Sequence, residues 1–108
     1  MQVIEMFRGN RFLGGRGWAN EVRNRVGDLL QRDPETIILL DFSRVEGVSH
    51  SFADELLAPL SELLEERFAT RVLVANCAAE VMEELELVAL MHGLAMPGVA
   101  AGEAPRPK

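Results

Sequence analysis

The sequence predicts a single α/β domain with a mixed, largely parallel four-stranded sheet and about three packed helices. The chain has 108 residues, 48% of them apolar, which is enough for one hydrophobic core and too little for two. Two apolar runs, residues 36–42 and 71–76, show almost no alternation, as expected of central strands covered on both faces. Segments with helical spacing separate the predicted strands, and this order is typical of parallel strands joined by crossover helices.

Residues 1–34 predict a strand, a short second strand and one helix. Residues 3–7 have the composition of a strand, and residues 11–13 predict a short second strand ahead of a glycine cluster. Apolar side chains then recur with the spacing of an amphipathic helix at Trp18, Val22, Val26, Leu29 and Leu30. Pro34 ends this helix, because proline disfavours helical geometry in the residue that precedes it.

The remainder of the chain predicts two strand–helix units and a tail. Residues 52–68 and 79–91 have helical spacing and follow the strands at 36–42 and 71–76. Pro59 lies inside the first of these helices, which predicts a kink or a restart there. Small residues, prolines and charges dominate the end of the chain. We therefore expect one ordered domain over residues 1–96 and a flexible tail over residues 97–108.

Composition and charge argue against several classes of protein. Cys77 is the only cysteine, so the chain is not a disulfide scaffold. Apolar runs are far shorter than the roughly 20 residues of a membrane span, and no secretion signal is visible, so we expect a cytoplasmic protein without a membrane partner. The net charge of −6 argues against a nucleic-acid partner. Residues 1–32 are net positive and the rest strongly negative, which favours a charge-complementary partner or a head-to-tail contact between copies.

The most informative segment runs from the end of the strand at 36–42, through a turn, into the next helix. Binding sites of α/β sheets commonly lie at this end of the strands. Ser51 followed by Asp54 has the pattern of a capping box, which predicts Ser51 as the residue that caps the helix. A hydroxyl at a helix N-terminus is also a favourable place for a phosphate, because the unpaired amides and the helix dipole stabilise negative charge. The two interpretations are compatible.

Residues 39–57 resemble the STAS-like domain family of bacterial proteins, which is related to the STAS domains of anti-sigma factor antagonists. The resemblance covers roughly residues 12–92. In the antagonists an Asp-Ser-Ser-Gly turn opens the helix, and a partner kinase phosphorylates its second serine. Matching the strand ends places Ser49 at the aspartate, His50 at the first serine and Ser51 at the phosphorylated serine, while Phe52 takes the place of the glycine.

The resemblance implies a STAS-like fold and a non-enzymatic regulatory module that binds a partner protein through residues 49–57. The implied partner is a histidine-kinase-like ATPase or an anti-sigma factor, and Ser51 is the implied phosphorylation site. No cofactor and no metal are implied. The residues expected to contact the partner are Ser49, His50, Phe52, Asp54 and Glu55.

Two other functions stay open from the sequence. One is a small-ligand or nucleotide sensor that uses the cleft at the strand ends, with Arg16 as the anion-binding residue. Arg16 lies among glycines ahead of a helix, but the segment lacks the spacing of a nucleotide fingerprint. The other is a homo-oligomeric structural subunit, such as a homodimer, which needs no switch.

Metal binding and catalysis have weaker support in the sequence. His50 and Asp54 are spaced like two ligands on one helix, but no third ligand is evident, since His92 lies at the end of another helix. Asp41, His50 and Ser51 supply the residue types of a hydrolytic triad without the Gly-x-Ser-x-Gly elbow. We therefore expect no enzymatic activity.

Overall fold

The computed structural model describes residues 1–100 and confirms the α/β class. Its main sheet has four strands in the order β1-β3-β5-β6. Their bounds are Gln2–Glu5 for β1, Ile38–Asp41 for β3, Val72–Ala75 for β5 and Gly98–Val99 for β6. The three pairings within this sheet are all parallel, so the sheet is more uniform than the mixed one expected. Between the two strands of each pair, a connection that contains a helix brings the chain back to the side of the sheet where the strands begin.

Three long helices cover the sheet, as predicted. Helix α1 spans Gly17–Arg32, α2 spans His50–Leu64 and α4 spans Ala79–His92. Between α2 and β5 lie a 3₁₀ turn, Glu65–Arg67, and the one-turn helix α3, Phe68–Arg71. Helix α2 packs between α1 and α4. A second, two-stranded parallel sheet pairs β2, Phe12–Leu13, with β4, Gly47–Val48.

Helix α2 runs without interruption through Pro59, so the restart predicted at this residue does not occur. Leu56, Leu57 and Leu60 are buried on both sides of the proline, and their packing holds the helix together across it. The helix ends at Leu64, because Glu65 has a left-handed φ of 51° that cannot continue it.

The core lies between the sheet and the three long helices. Among the described residues it contains only apolar side chains, and its largest fully buried members are Phe42, Phe52, Phe68 and Met6. Cys77 is buried as well. Trp18 closes the core at the edge of α1, where its indole nitrogen donates a 3.0 Å hydrogen bond to the carbonyl oxygen of Met6. The buried residues Val22, Val26 and Leu30 confirm the apolar face predicted for this helix.

Strand β6 corrects the expectation of a tail that begins at residue 97. Gly98 and Val99 pair with Leu73 and Val74, so these two residues belong to the sheet. Gly98 fits there because it has no side chain: a Cβ at this position would overlap the carbonyl oxygen of Ala69. The rest of the predicted tail, residues 101–108, lies outside the described residues.

The connections that lead from the strands into α2 and α4 begin at the same side of the main sheet. Parallel strands all end at the same side of their sheet, and here this is where β3 and β5 end at Asp41 and Ala75. Helices α2 and α4 both follow strands that end at this edge. Over residues 1–100, no helix is long and apolar enough to cross a lipid bilayer.

Candidate functional site

The start of α2 is capped by Ser49 and not by Ser51, which corrects the predicted cap. The Ser49 hydroxyl accepts a 3.0 Å hydrogen bond from the backbone N–H of Phe52, and the Ser49 backbone is extended. Its own N–H donates to the carbonyl oxygen of Leu13 at 2.8 Å. This bond prolongs the pairing of β2 with β4 as far as residue 49, so the helix begins at His50. Ser51 therefore lies inside the first turn, where it is partly buried.

One side of the first two turns of α2 faces α1, and two arginines of that part of the chain lie against it. Ser51 and Glu55 are four residues apart and share a face of α2. The Glu55 carboxylate accepts from Arg16 Nη1 at 3.1 Å and lies 3.7 Å from Arg23 Nη2. Arg16 comes from the turn ahead of α1 and Arg23 from within it. The structure thus brings the predicted anion-binding residue, Arg16, next to the predicted partner-binding segment, and it adds Arg23.

The other side of the first turns of α2 faces α4, and the two histidines of the chain, one from each helix, meet there. His50 Nε2 and His92 Nε2 are 3.4 Å apart, and the rings meet edge to face. His50 Nδ1 lies 3.5 Å from a carboxylate oxygen of Glu84. Asp54, four residues after His50, lies 4.0 Å from His92 Nε2. The packing of α4 against α2 therefore brings His92, which the sequence places at the end of another helix, next to His50 and Asp54.

The predicted partner contacts divide according to their exposure. His50 is exposed, while Ser49, Asp54 and Glu55 are partly buried and reach the surface. Phe52 has no exposed area, so the expectation that it contacts a partner is wrong for the folded chain. Its side chain belongs to the buried apolar face of α2 and is part of the core.

A separate polar cluster lies where β3 and β5 end. Asp41 Oδ1 accepts from the Ser43 hydroxyl at 2.7 Å and from the Asn76 amide at 2.9 Å. Asn76 adopts a left-handed φ of 59° directly after β5. The Asp41 carboxylate therefore ties the two strand ends together, whereas the ring nitrogens of His50 face Glu84 and His92 on α4.

Two surface grooves lie apart from the α2 start. One, of about 940 Å³, runs between β1 and α1 beside Trp18, and the other, of about 880 Å³, lies between α1 and α2 around Pro59. Neither is lined by Arg16 or by residues 49–57. These grooves are therefore not the strand-end cleft that a ligand sensor built on Arg16 would use.

Sequence reasoning missed Arg23, Glu84 and His92 as neighbours of the predicted site. Each lies on α1 or α4, and only the packing of these helices against α2 brings it there. One signal was present: His92 falls at i+4 from Val88 and i+7 from Leu85, so it continues the buried face of α4 that points toward α2.

Comparison with known proteins gives one match. The family model described as a STAS-like domain of unknown function (DUF4325) matches residues 19–82. No curated protein and no solved structure matches the chain. The matched region takes in nearly all of α1, the whole Ser49–Leu57 segment, β5 and the beginning of α4, so it covers more than half of the chain and includes the capped start of α2. The chain belongs to the STAS-like domain family.

Proposed function

We propose that this chain is a cytoplasmic, non-enzymatic regulatory module that binds a partner protein through the Ser49–Leu57 segment and is switched by phosphorylation of Ser51. By resemblance to the anti-sigma factor antagonists, the partner is a histidine-kinase-like ATPase or an anti-sigma factor. The observation that carries the proposal is the position of Ser51. It lies in the first turn of α2, on the same face as a carboxylate that already holds two arginines.

The first turn of α2 suits a phosphate for two reasons. Amides at a helix N-terminus lack partners within the helix, and the helix dipole favours negative charge there. Arg16 and Arg23 are the second reason, because guanidinium groups bind phosphate oxygens in the same way as carboxylate oxygens. A phosphate on Ser51 would therefore compete with Glu55, one turn further along the helix, for these two arginines.

The competition supplies a mechanism for the switch. A phosphoserine adds about −1.5 to −2 charges near pH 7, and it would draw the exposed Arg16 side chain away from Glu55. The charge and shape of the α2 start would change while the buried face of the helix stays in place. A bulky dianion at an interface must be desolvated, which changes partner affinity by about 2–3 kcal/mol, or roughly 30- to 150-fold.

The test combines the phosphorylation state with partner affinity. Intact-mass analysis of the protein from its native host should find a species that is heavier by about 80 Da, the mass of one added phosphoryl group. The Ser51→Ala variant should lack this species. The partner captured from that host should bind Ser51→Glu at least about 30-fold more weakly than Ser51→Ala.

Thr70→Glu provides a charge-matched control. Thr70 is exposed on α3. Because α3 comes directly before β5, it lies at the side of the sheet where the strands begin, and α2 begins at the opposite side. This variant should bind the partner like the unmodified protein. Identical affinities for Ser51→Ala and Ser51→Glu, together with no phosphorylated species in the host, would rule out the switch and leave a constitutive binding module.

A further inference from the structure

The geometry points to a binding site for a divalent transition-metal ion, with the chemistry of Zn²⁺, between His50 on α2 and His92 on α4. Their Nε2 atoms are 3.4 Å apart. Two ligand atoms that each lie 2.0–2.1 Å from a tetrahedral zinc are roughly 3.3–3.4 Å apart. The pair thus already has the separation that a shared ion requires.

Glu84 supports the site from behind His50. A carboxylate oxygen of Glu84 lies 3.5 Å from His50 Nδ1, on the side of the ring opposite to His92. Histidines that bind metals almost always donate their other ring N–H to a carboxylate, a carbonyl or water, which leaves the ligating nitrogen unprotonated and fixes the ring. Glu84 is therefore a positioning residue, which prepares the Nε2 lone pair of His50 for an ion.

Asp54 is the nearest further ligand. Its Oδ1 atom is 4.0 Å from His92 Nε2, and it shares a face of α2 with His50. In the described part of the chain no three His, Cys, Asp or Glu side chains are arranged to hold a metal ion together. The two imidazoles are the preformed ligands, and Asp54, 4.0 Å from His92 Nε2, would have to move closer to become the third. Water fills the remaining position, since both histidines are exposed.

The ligand set selects the class of ion. Imidazole nitrogens favour Zn²⁺, Ni²⁺ and Cu²⁺, whereas Mg²⁺ and Ca²⁺ prefer oxygen ligands. The ion would join the first turn of α2 to the last turn of α4, and this pairing exists only in the folded chain. Zn²⁺ should therefore bind and stabilise the folded state. This inference is independent of Ser51, which lies on the other flank of α2.

The test is a calorimetric titration of Zn²⁺ into the untagged full-length protein. His50 and His92 are its only histidines. We expect one ion per chain and an affinity that falls at least about tenfold in His92→Gln and about 10- to 100-fold in Glu84→Gln. Glu83→Gln, which removes an exposed carboxylate one residue away on α4, should bind like the unmodified protein.

Imidazole NMR signals and thermal unfolding complete the test. Zn²⁺ should shift the signals of both histidines together and raise the Tm of the unmodified protein, and it should leave the Tm of His92→Gln unchanged. Without metal, His92→Gln should unfold like the unmodified protein, since His92 lies at the exposed end of α4. An unchanged affinity in His92→Gln, or a loss of binding in Cys77→Ala, would overturn the assignment. Equal weakening by Glu83→Gln and Glu84→Gln would overturn the role of Glu84.

Discussion

Replacing Ser49 by alanine tests how the start of α2 is built. The variant loses the side-chain oxygen that accepts the Phe52 N–H at 3.0 Å, and this buried amide then has no acceptor in the first turn. Replacing a serine cap by alanine typically costs about 1 kcal/mol, within a range of 0.5–2. For a chain of this length, 1 kcal/mol corresponds to a decrease in Tm of about 4 °C. Urea unfolding followed by circular dichroism measures the loss directly.

The neighbouring serine is the matched control for this prediction. Ser51→Ala should unfold within about 0.5 kcal/mol of the unmodified protein, because Ser51 does not cap the helix. Ser49→Asp should retain most of the stability, since aspartate also accepts the bond at this position. If Ser51→Ala lost as much stability as Ser49→Ala, or if Ser49→Ala lost none, the helix would not begin where the structure has it.

Two glycines and the single tryptophan give further predictions. Gly98→Ala should lower the free energy of unfolding by about 1–3 kcal/mol, because its Cβ would collide with the Ala69 carbonyl. Gly27→Ala lies in helix α1 with no atom near its Cβ and should raise the free energy of unfolding by about 0.5–1 kcal/mol in the same urea titration. Trp18→Phe removes the donor to the Met6 carbonyl and should cost about 1–3 kcal/mol, measured by calorimetry; an unchanged Tm would show that this bond contributes nothing.

Local spacing is enough to predict the long helices, because the residues that form one apolar face recur only three or four positions apart. The predicted helix at 79–91 and the observed Ala79–His92 differ by one residue. The burial of Phe52 could also have been read from the sequence, since it lies on the same apolar face as Leu56 and Leu60. Its assignment as a partner contact came from the family resemblance and neglected that face.

Features that depend on remote parts of the chain could not be predicted. Ser49 and Ser51 are both acceptable caps, and the choice between them is made by the bond from the Ser49 N–H to Leu13 in another sheet strand. Strand β6 has only two residues, and its position depends on how Gly98 fits against Ala69. The approach of His92 to His50 likewise requires α4 to pack against α2, which no local pattern encodes.

The parallel register of the main sheet has a consequence for how the chain folds. Gln2 pairs with Ile38, and Ile38 pairs with Val72, so each of these pairings closes a loop of about 35 residues. Sheets built from such distant partners fold more slowly than bundles with local contacts. During synthesis at about 5–20 residues per second, roughly 2–7 seconds separate Gln2 from its partner. For that interval β1 is an unpaired strand, and Ile4, which the fold buries, is uncovered, so this segment can pair with other chains until Ile38 arrives.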